Sequence, residues 1–539
     1  MKRIWLLLAT LVLALIPVFG EEDELPVDEF VIAFTRSSVD FNPIYSYTIT
    51  EAQIYTGLHE GLVSYHPETM EPVPAVAQRW DVSDDGRTYT FHLRQSARFS
   101  NGDPVLAEHF RDTWLTLLSP ENDAAYSFLF DLIQGVREYR SGETSGREGV
   151  GIRVRGPHTL EVELRQRTTH FLQMLSHNSF VAVHPSLLAH RSWRNLTDIP
   201  VNGPFRLLRW SDDEIVLVRN EHYWEVAQVA LPRIRMIFMD DPSGVTERFN
   251  NNQIDWVVGG MSLADVLVPQ AIVINPLFAT NYYFLQARRE PFSDPRVRRA
   301  LGLLLPWDQI RDPEMHFMPT SVLVPPIPFY PEVRGIKETD VEQALGLLED
   351  AGFPDGRGLP ELIIHIHEGP EAMRVAELAQ EAWAAALNQD AEIRVTPFSR
   401  YHDALKDGTF TMGTMGWIGD YADPLTFLQM WIADSNANDA GFADPRYDEL
   451  LDRAMGQSGV TRYETLAQAE EILLQTGVIL PVSHSPAVNL IDLRAVAGWF
   501  PNPLDIHPLK HLRFSTGAPV PGVIRFDQPQ VNRIYSPQP

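Results

Sequence analysis

Not one cysteine occurs in 539 residues, and that absence narrows the ways in which such a chain can be held together more than any other feature. Disulfides, thiolate metal sites, cysteine nucleophiles and a lipid-modified N-terminal cysteine all drop out together. Stability must come from packed apolar cores. With 44% hydrophobic and 10% aromatic residues the chain has material for more than one, and a single core rarely serves much beyond about 300 residues. Two or three domains are expected. The 44 Lys+Arg stand against 71 Asp+Glu, a formal net charge of −27. Such a field repels phosphate backbones and anionic lipid surfaces, so nucleic acid is not expected as a partner.

The N-terminus supplies a compartment. Met1-Lys2-Arg3 is basic, Ile4 to Ile16 is apolar with Thr10 as the one interruption, and Pro17-Val18-Phe19-Gly20 resembles a cleavage region. The run is shorter than the roughly 20 residues a spanning helix needs. A cleaved signal peptide at 1–20 is therefore expected, with Glu21-Glu22-Asp23-Glu24 opening the mature chain. No later stretch is apolar enough to span a bilayer. A soluble exported protein with no cysteine to carry a lipid anchor is retained only where a second membrane closes the compartment, so a periplasm is expected.

Along the chain, short alternating runs mix with helical patterns and no period repeats, as in an α/β protein of several lobes. Thr88-Tyr89-Thr90-Phe91-His92-Leu93 alternates in polarity after the Asp85-Gly86 turn, which predicts a hairpin with Trp80-Asp81-Val82. Asp103-Pro104 is placed to cap and open a helix through Ala107–Leu118. Arg140 to Gly151 reads as a surface loop. Leu362–Ile366, then Glu371–Leu387 with apolar residues at helical spacing, then Ile393-Arg394-Val395 predict a strand–helix–strand crossover in a partly parallel sheet. Val324 to Pro331 holds too many prolines for a central strand or helix and reads as an extended connection. Beyond Phe514 the tail is rich in Gly, Pro and Gln and is expected on the surface or poorly ordered.

A secreted hydrolase is the main rival among function classes. The chain has no His-Glu-x-x-His pair, no Gly-x-Ser-x-Gly elbow and no Gly-rich phosphate loop before Lys-Ser/Thr. His365 and His367 could face one way from a strand as metal ligands, but no third ligand stands at a recognisable spacing. Polar residues on a strand face are the simpler reading. A distant carboxylate pair of glycosidase type stays open. No catalytic residue, metal or cofactor is assigned, and no enzyme activity is expected.

Several blocks then occur in a telling order. Ile54-Tyr55-Thr56-Gly57-Leu58-His59-Glu60-Gly61-Leu62-Val63 comes first, then Val76-Ala77-Gln78-Arg79-Trp80 leading to Phe99-Ser100-Asn101-Gly102-Asp103-Pro104. Asn202-Gly203-Pro204-Phe205 with Asn220-Glu221-His222-Tyr223-Trp224 follows, then Asn281-Tyr282-Tyr283-Phe284 with Pro291 to Leu301. Gly416-Trp417-Ile418-Gly419-Asp420-Tyr421-Ala422-Asp423-Pro424 and Pro503-Leu504-Asp505 complete the series. Spread from about Val31 to Phe514, this series resembles the extracellular solute-binding proteins of the peptide and nickel ABC-transporter type. The resemblance implies a periplasmic-binding-protein-like two-lobed clamp with a hinge and three domains. Domain I would comprise 21–66, 198–281 and 502–539 with the tail, the inserted domain II 67–197, and domain III 282–501.

The resemblance also implies how such a clamp works. An extended peptide lies between domains I and III, its backbone pairing with strand edges so that side chains are not read, and the closed form is delivered to an importer permease. A monomer is expected. Asp420 falls where the family's peptide binders place a carboxylate for the ligand's α-ammonium, which once out of water must meet opposite charge. The competing reading of Asp420 is a cap on the turn before Pro424. Trp417 and Tyr421 flank it as candidate pocket walls, and Tyr283 and Asn489 are weaker ligand-binding candidates. Basic residues that often precede the Gly-Trp block to hold a peptide carboxylate are missing from Phe410-Thr411-Met412-Gly413-Thr414-Met415. Arg400 and Lys406 lie nearby. An oligosaccharide or a nickel chelate is the alternative ligand within the same transport role.

Overall fold

A computed structural model describes residues 29–515 apart from 38, 46, 47 and 145, with the side chain of 399 also outside the description. The signal-peptide reading and the tail beyond 515 lie outside the described residues, among which no helix is long and apolar enough to cross a membrane.

One large mixed sheet organises the molecule. Its strand order is Ala391–Thr396, Leu362–His367, Met412–Ile418, Ile272–Leu285, Ile479–Ile491, Trp256–Val258, Glu29–Thr35, Arg233–Met239, Glu214–Arg219 and Phe205–Trp210. The first three are parallel, as are Trp256–Val258, Glu29–Thr35 and Arg233–Met239. Between these parallel groups stand the two long strands, 14 and 13 residues in length. Their pairing is antiparallel, and the register shifts between Pro276 and Thr280. Ile272–Pro276 pair with Pro486–Leu490 in one half of the molecule, and Thr280–Phe284 pair with Ile479–His484 in the other. Both halves of the clamp therefore hang on the same two strands.

Each half is filled by its own apolar packing. Phe30, Ile32, Tyr55, Phe205, Leu217, Ile234 and Trp256 belong to one cluster, and Leu285, Leu301, Trp307, Ile364, Val375, Trp383 and Met412 to another. The predicted crossover lies in the second. Leu362–His367 and Ala391–Thr396 are parallel in six registered pairs, joined by the Pro370–Leu387 helix, which buries Ala372, Val375, Ala376, Ala379, Trp383 and Leu387. That i, i+3, i+4 spacing makes one apolar stripe. Truncating fully buried Trp383 would cost about 3–5 kcal/mol.

The inserted segment carries a separate antiparallel sheet of Ala77–Val82, Thr88–Leu93, Thr159–Glu163 and Ile152–Gly156. The predicted hairpin is present, with Gly86 at φ +71° in its turn and Tyr89, Phe91 and Leu93 on the buried face. This segment does not keep its core to itself. Phe91, Trp114, Phe130 and Phe180 belong to one continuous cluster with Tyr282, Trp417, Phe427 and Trp431.

The helix expected from Asp103-Pro104 begins later, at Ala107–Leu117. The Phe99 N–H donates to the Asp103 carbonyl and the Val105 N–H to the Ala97 carbonyl. These bonds hold 103–105 extended. The cap is instead Leu106, whose N–H donates to His109 Nδ1 at 3.1 Å. The proline-rich connection has neither helix nor strand from 324 to 331. The buried Glu470 carboxylate ties it down, accepting the N–H groups of Leu323 and Val324 at 2.8 and 2.9 Å and the Tyr330 hydroxyl at 2.9 Å. Burial pushes Glu470 up to about 7.

Candidate ligand-binding cleft

The Met412–Ile418 strand is half covered. One edge pairs along its whole length with Ala279–Leu285. The other pairs with Leu362–His367 only at Met412 and Gly413, and the Tyr401 hydroxyl accepts the Thr414 N–H at 2.9 Å. Beyond that point Met415, Gly416, Trp417, Ile418 and Gly419 line a cleft of about 1020 Å³. From Gly416 on, no strand among the described residues pairs with that edge, and such an edge leaves every second N–H and C=O facing outward, ready to pair with another extended chain. The Gly419 N–H donates to the Phe278 carbonyl at 2.8 Å, tying the strand end to the register break between the halves. A Cβ at Gly419 would stand 2.7 Å from the Phe278 ring and 2.9 Å from the Thr426 methyl, so only glycine allows this approach.

Asp420 follows at once. Its N–H donates to Thr426 Oγ1 at 2.9 Å, and that hydroxyl donates back to Asp420 Oδ2 at 3.0 Å. The reciprocal pair fixes the turn and the carboxylate together. Oδ1 faces His177 Nε2 at 3.6 Å, with the Asp420 and His177 side chains 4% and 9% exposed. The Ser179 N–H donates to His177 Nδ1, so in the neutral ring the proton sits on Nε2, toward the carboxylate. Burial pushes His177 down to about 3 and Asp420 up to about 7. The imidazole is therefore a neutral donor. Among the described residues no lysine or arginine reaches Asp420. The carboxylate is held in shape and left without a counter-charge.

Its supports are aromatic and ionic. The Tyr126 ring lies 4.6 Å from His177 and 6.2 Å from Trp417, and all three line the cleft. Trp417 Nε1 is buried without a hydrogen-bond partner among the described residues. Tyr421 turns the other way, stacking on His170 at 5.8 Å. Behind that stack, Arg462 clamps Asp423 through two bonds of 2.6 and 2.8 Å. Burial alone would raise Asp423, but the Arg462 guanidinium outweighs it and holds the carboxyl below its usual range. Asp423 also accepts the Leu425 N–H at 2.9 Å, fixing the chain just after Asp420.

A smaller cavity of about 100 Å³ lies behind Asp420 and shares Ala52, His177, Asn178, Asp420 and Ile506 with the main cleft. Apart from Asp420, its charged groups Glu60 and Lys510 match each other. Glu60 accepts the Trp224 indole N–H at 2.6 Å, the Tyr223 hydroxyl and the Lys510 ammonium at 3.3 Å. Another part of the cleft wall comes from Arg36, Tyr45, Arg191 and Arg194, with Thr48 to Ala52 and Trp210 to Asp212.

Of the residues singled out from sequence, Asp420 and Trp417 line the cleft, and Tyr421 lines only the cavity behind it. The other two lie elsewhere. Tyr283 packs with Leu285, Leu301 and Ile364 inside a core, away from the cleft, because its neighbour Tyr282 takes the other face of the strand. Asn489 is fully buried, accepting the Trp256 indole N–H at 2.8 Å and donating to Asp505 at 2.9 Å, a cross-link rather than a ligand contact. Lys406 reaches the cleft but already pairs with Asp123 at 2.9 Å. His365 donates to or accepts from Thr396 at 2.9 Å and packs on Tyr401, and no group of three metal-ligating side chains occurs among the described residues. Sequence reasoning missed His177, Tyr126, Thr426 and the arginines of the cleft wall. His177 and Tyr126 stand nearly 250 and 300 positions from Asp420, a separation that leaves no local signal.

The model of bacterial extracellular solute-binding proteins, family 5 Middle, matches residues 71–439. An oligopeptide-binding protein of Bacillus subtilis, OppA, is 27% identical over 447 residues, 78% of this chain and 81% of its own. A probable deoxycholate-binding periplasmic protein of Escherichia coli, YgiS, is 29% identical over 481 residues, 85% of this chain and 88% of its own. Among solved structures, a periplasmic oligopeptide-binding protein of Borrelia burgdorferi superposes with a TM-score of 0.79 at 25% identity, covering 90% of this chain and all of that one.

Proposed function

The chain belongs to the bacterial extracellular solute-binding proteins of family 5, and from that premise we propose that it is the periplasmic component of an ABC importer that seats short peptides and hands them to the permease without chemical change. One observation carries the peptide reading. Within a single cleft, a strand edge at 416–418 that no other strand pairs with among the described residues leads directly into a buried carboxylate with no cation beside it.

A peptide main chain laid along that edge exchanges N–H and C=O bonds with it, which confers affinity whatever the side chains. Its α-ammonium reaches Asp420 Oδ1, while the Thr426 hydroxyl holds the carboxylate in place and the neutral His177 ring stands 3.6 Å away. Trp417 and Tyr126 wall the first side chains. Tyr421 acts one step away, supporting the turn rather than touching ligand. A sugar would use the aromatic walls but would leave a buried carboxylate unmatched.

The organisation proposed with this role is a lobe of 21–66, 198–281 and 502–539, an inserted 67–197 domain and a closing lobe of 282–501, acting as an exported monomer after removal of 1–20. Native mass spectrometry on the mature protein as purified, with release of whatever it carries, tests the ligand. A heterogeneous set of short peptides is expected. A single defined compound, whether a bile acid, a sugar or a metal chelate, would overturn the peptide reading and the role of Asp420 with it.

A further inference from the structure

The cleft offers an anionic anchor at one place and, on another part of its wall, a cationic one. Four residues with a permanent positive charge line it: Arg36, Arg191, Arg194 and Lys406. Three are committed to carboxylates. Arg36 bonds Asp213 and Asp240, both at 3.0 Å, Arg194 pairs with Asp212, and Lys406 pairs with Asp123 and Asp403. Arg191 alone has no carboxylate partner among the described residues. Its guanidinium lies over the Tyr45 ring, 4.4 Å from the centroid.

That platform is built. The Tyr45 hydroxyl donates to Asn122 Oδ1 at 2.8 Å, and Asn122 Nδ2 donates to the Thr116 carbonyl at 2.6 Å. Below the guanidinium, Asn42 Nδ2 donates to the carbonyls of His190 and Arg191 at 2.9 and 3.1 Å. The same side chain hydrogen-bonds the Tyr45 hydroxyl, and the remaining N–H groups of a guanidinium held this way keep the forked geometry that matches a carboxylate. In a chain of net charge −27, a carboxylate needs such a local cation to enter at all.

Taking the peptide reading as its basis, we infer that Arg191 receives the ligand's terminal carboxylate, so that the cleft selects peptides with a free C-terminus. Asp420 and Arg191, which both line one cleft, then match the two ends of a zwitterion. This assigns the carboxylate to the lobe that carries 36–52 and 191–212, not to the segment before the Gly-Trp block.

Isothermal titration with tri-, tetra- and penta-alanine, each as the free acid and as the C-terminal amide, tests the assignment. Wild-type protein is expected to bind the acid of the preferred length about 10- to 100-fold more tightly than its amide, the range of a charge-assisted pair. Arg191→Ala should bring that ratio close to one by weakening the acid far more than the amide, with thermal unfolding unchanged, and Arg191→Lys should restore only part of it. Asp420→Ala should weaken acid and amide alike and leave the ratio intact. An unchanged acid-to-amide ratio in Arg191→Ala, or no acid preference in the wild type, would overturn the inference while the peptide reading stands. Binding of neither form at any length would sink that reading itself.

Discussion

Asp420 and Asp423 stand three positions apart and are both buried, yet they live in opposite electrostatic worlds. Asp423 is gripped by Arg462 through two short bonds and held below the usual carboxylate range. Asp420 has a hydroxyl, a neutral imidazole at 3.6 Å and burial that lifts it to about 7. A buried charge that serves the fold comes with its partner, because an unpaired one is costly. A buried charge kept without one, at the end of an open strand edge, has its partner arriving from outside. The lone carboxylate is a cost to the empty protein that a ligand ammonium removes.

The contrast breaks most severely at Arg462. Arg462→Ala strands the Asp423 charge and is expected to lower stability by about 3–5 kcal/mol, measured by urea unfolding; a loss below 1 kcal/mol would mean the pair is not structural. Asp420→Ala acts on binding. It should weaken amine-terminated peptides by about 3 kcal/mol, roughly 150-fold, and leave N-acetylated peptides unaffected. Equal losses for both peptide forms in a titration would deny the ammonium role.

Asp420→Asn sharpens the comparison through stability. The folded carboxyl is raised to about 7 from 3.8, so as pH rises from about 4 to 7 the unfolded chain ionises first and the folded protein loses stability. The asparagine variant escapes this, and thermal melts of ligand-free protein should show a gain on the order of 2 kcal/mol at pH 8 that fades toward pH 4. A variant less stable than wild type at pH 8 would contradict it. The same group sets the pH dependence of affinity. Below about pH 7 a proton must leave before the ammonium can pair, so affinity should fall toward tenfold per pH unit, and a flat profile between pH 5 and 7 would rule this out. The smallest effect belongs to His177. Removing its donor in His177→Ala should move the acid limb upward by about half a pH unit, and His177→Gln, which keeps an N–H, should largely restore it. Identical profiles in all three proteins would mean that His177 does not position the carboxylate.

Much of this was legible in the residues, for identifiable reasons. The crossover at 362–396 is local: its strand, amphipathic helix and second strand each carry their own period. The Gly-Trp block with Asp420 is likewise contiguous. What escaped depends on contacts between distant segments or on which side of a doubly buried strand faces the cleft. Tyr282 and Tyr283 are both buried on opposite faces, so alternation could not say which one bordered a cavity. The amide of Asn489 is taken at one end by Trp256, 233 positions away in sequence, and at the other by Asp505. The Asp103-Pro104 pair has all the chemistry of a helix start, but the backbone bonds from Phe99 and Val105 hold it extended.

The two long strands that pass through both halves bear on mechanics as well as architecture. A hydrogen-bonded ribbon resists shear between its strands and stretching along them, but it twists readily about its own length. Two rigid bodies joined by such a ribbon behave like plates on a torsion bar, and the compliant stretch is the register break at 276–280, where the ladder is interrupted. Rotation about that stretch changes the separation of the Asp420 and Arg191 walls without unpacking the clusters around Trp256 or Trp383.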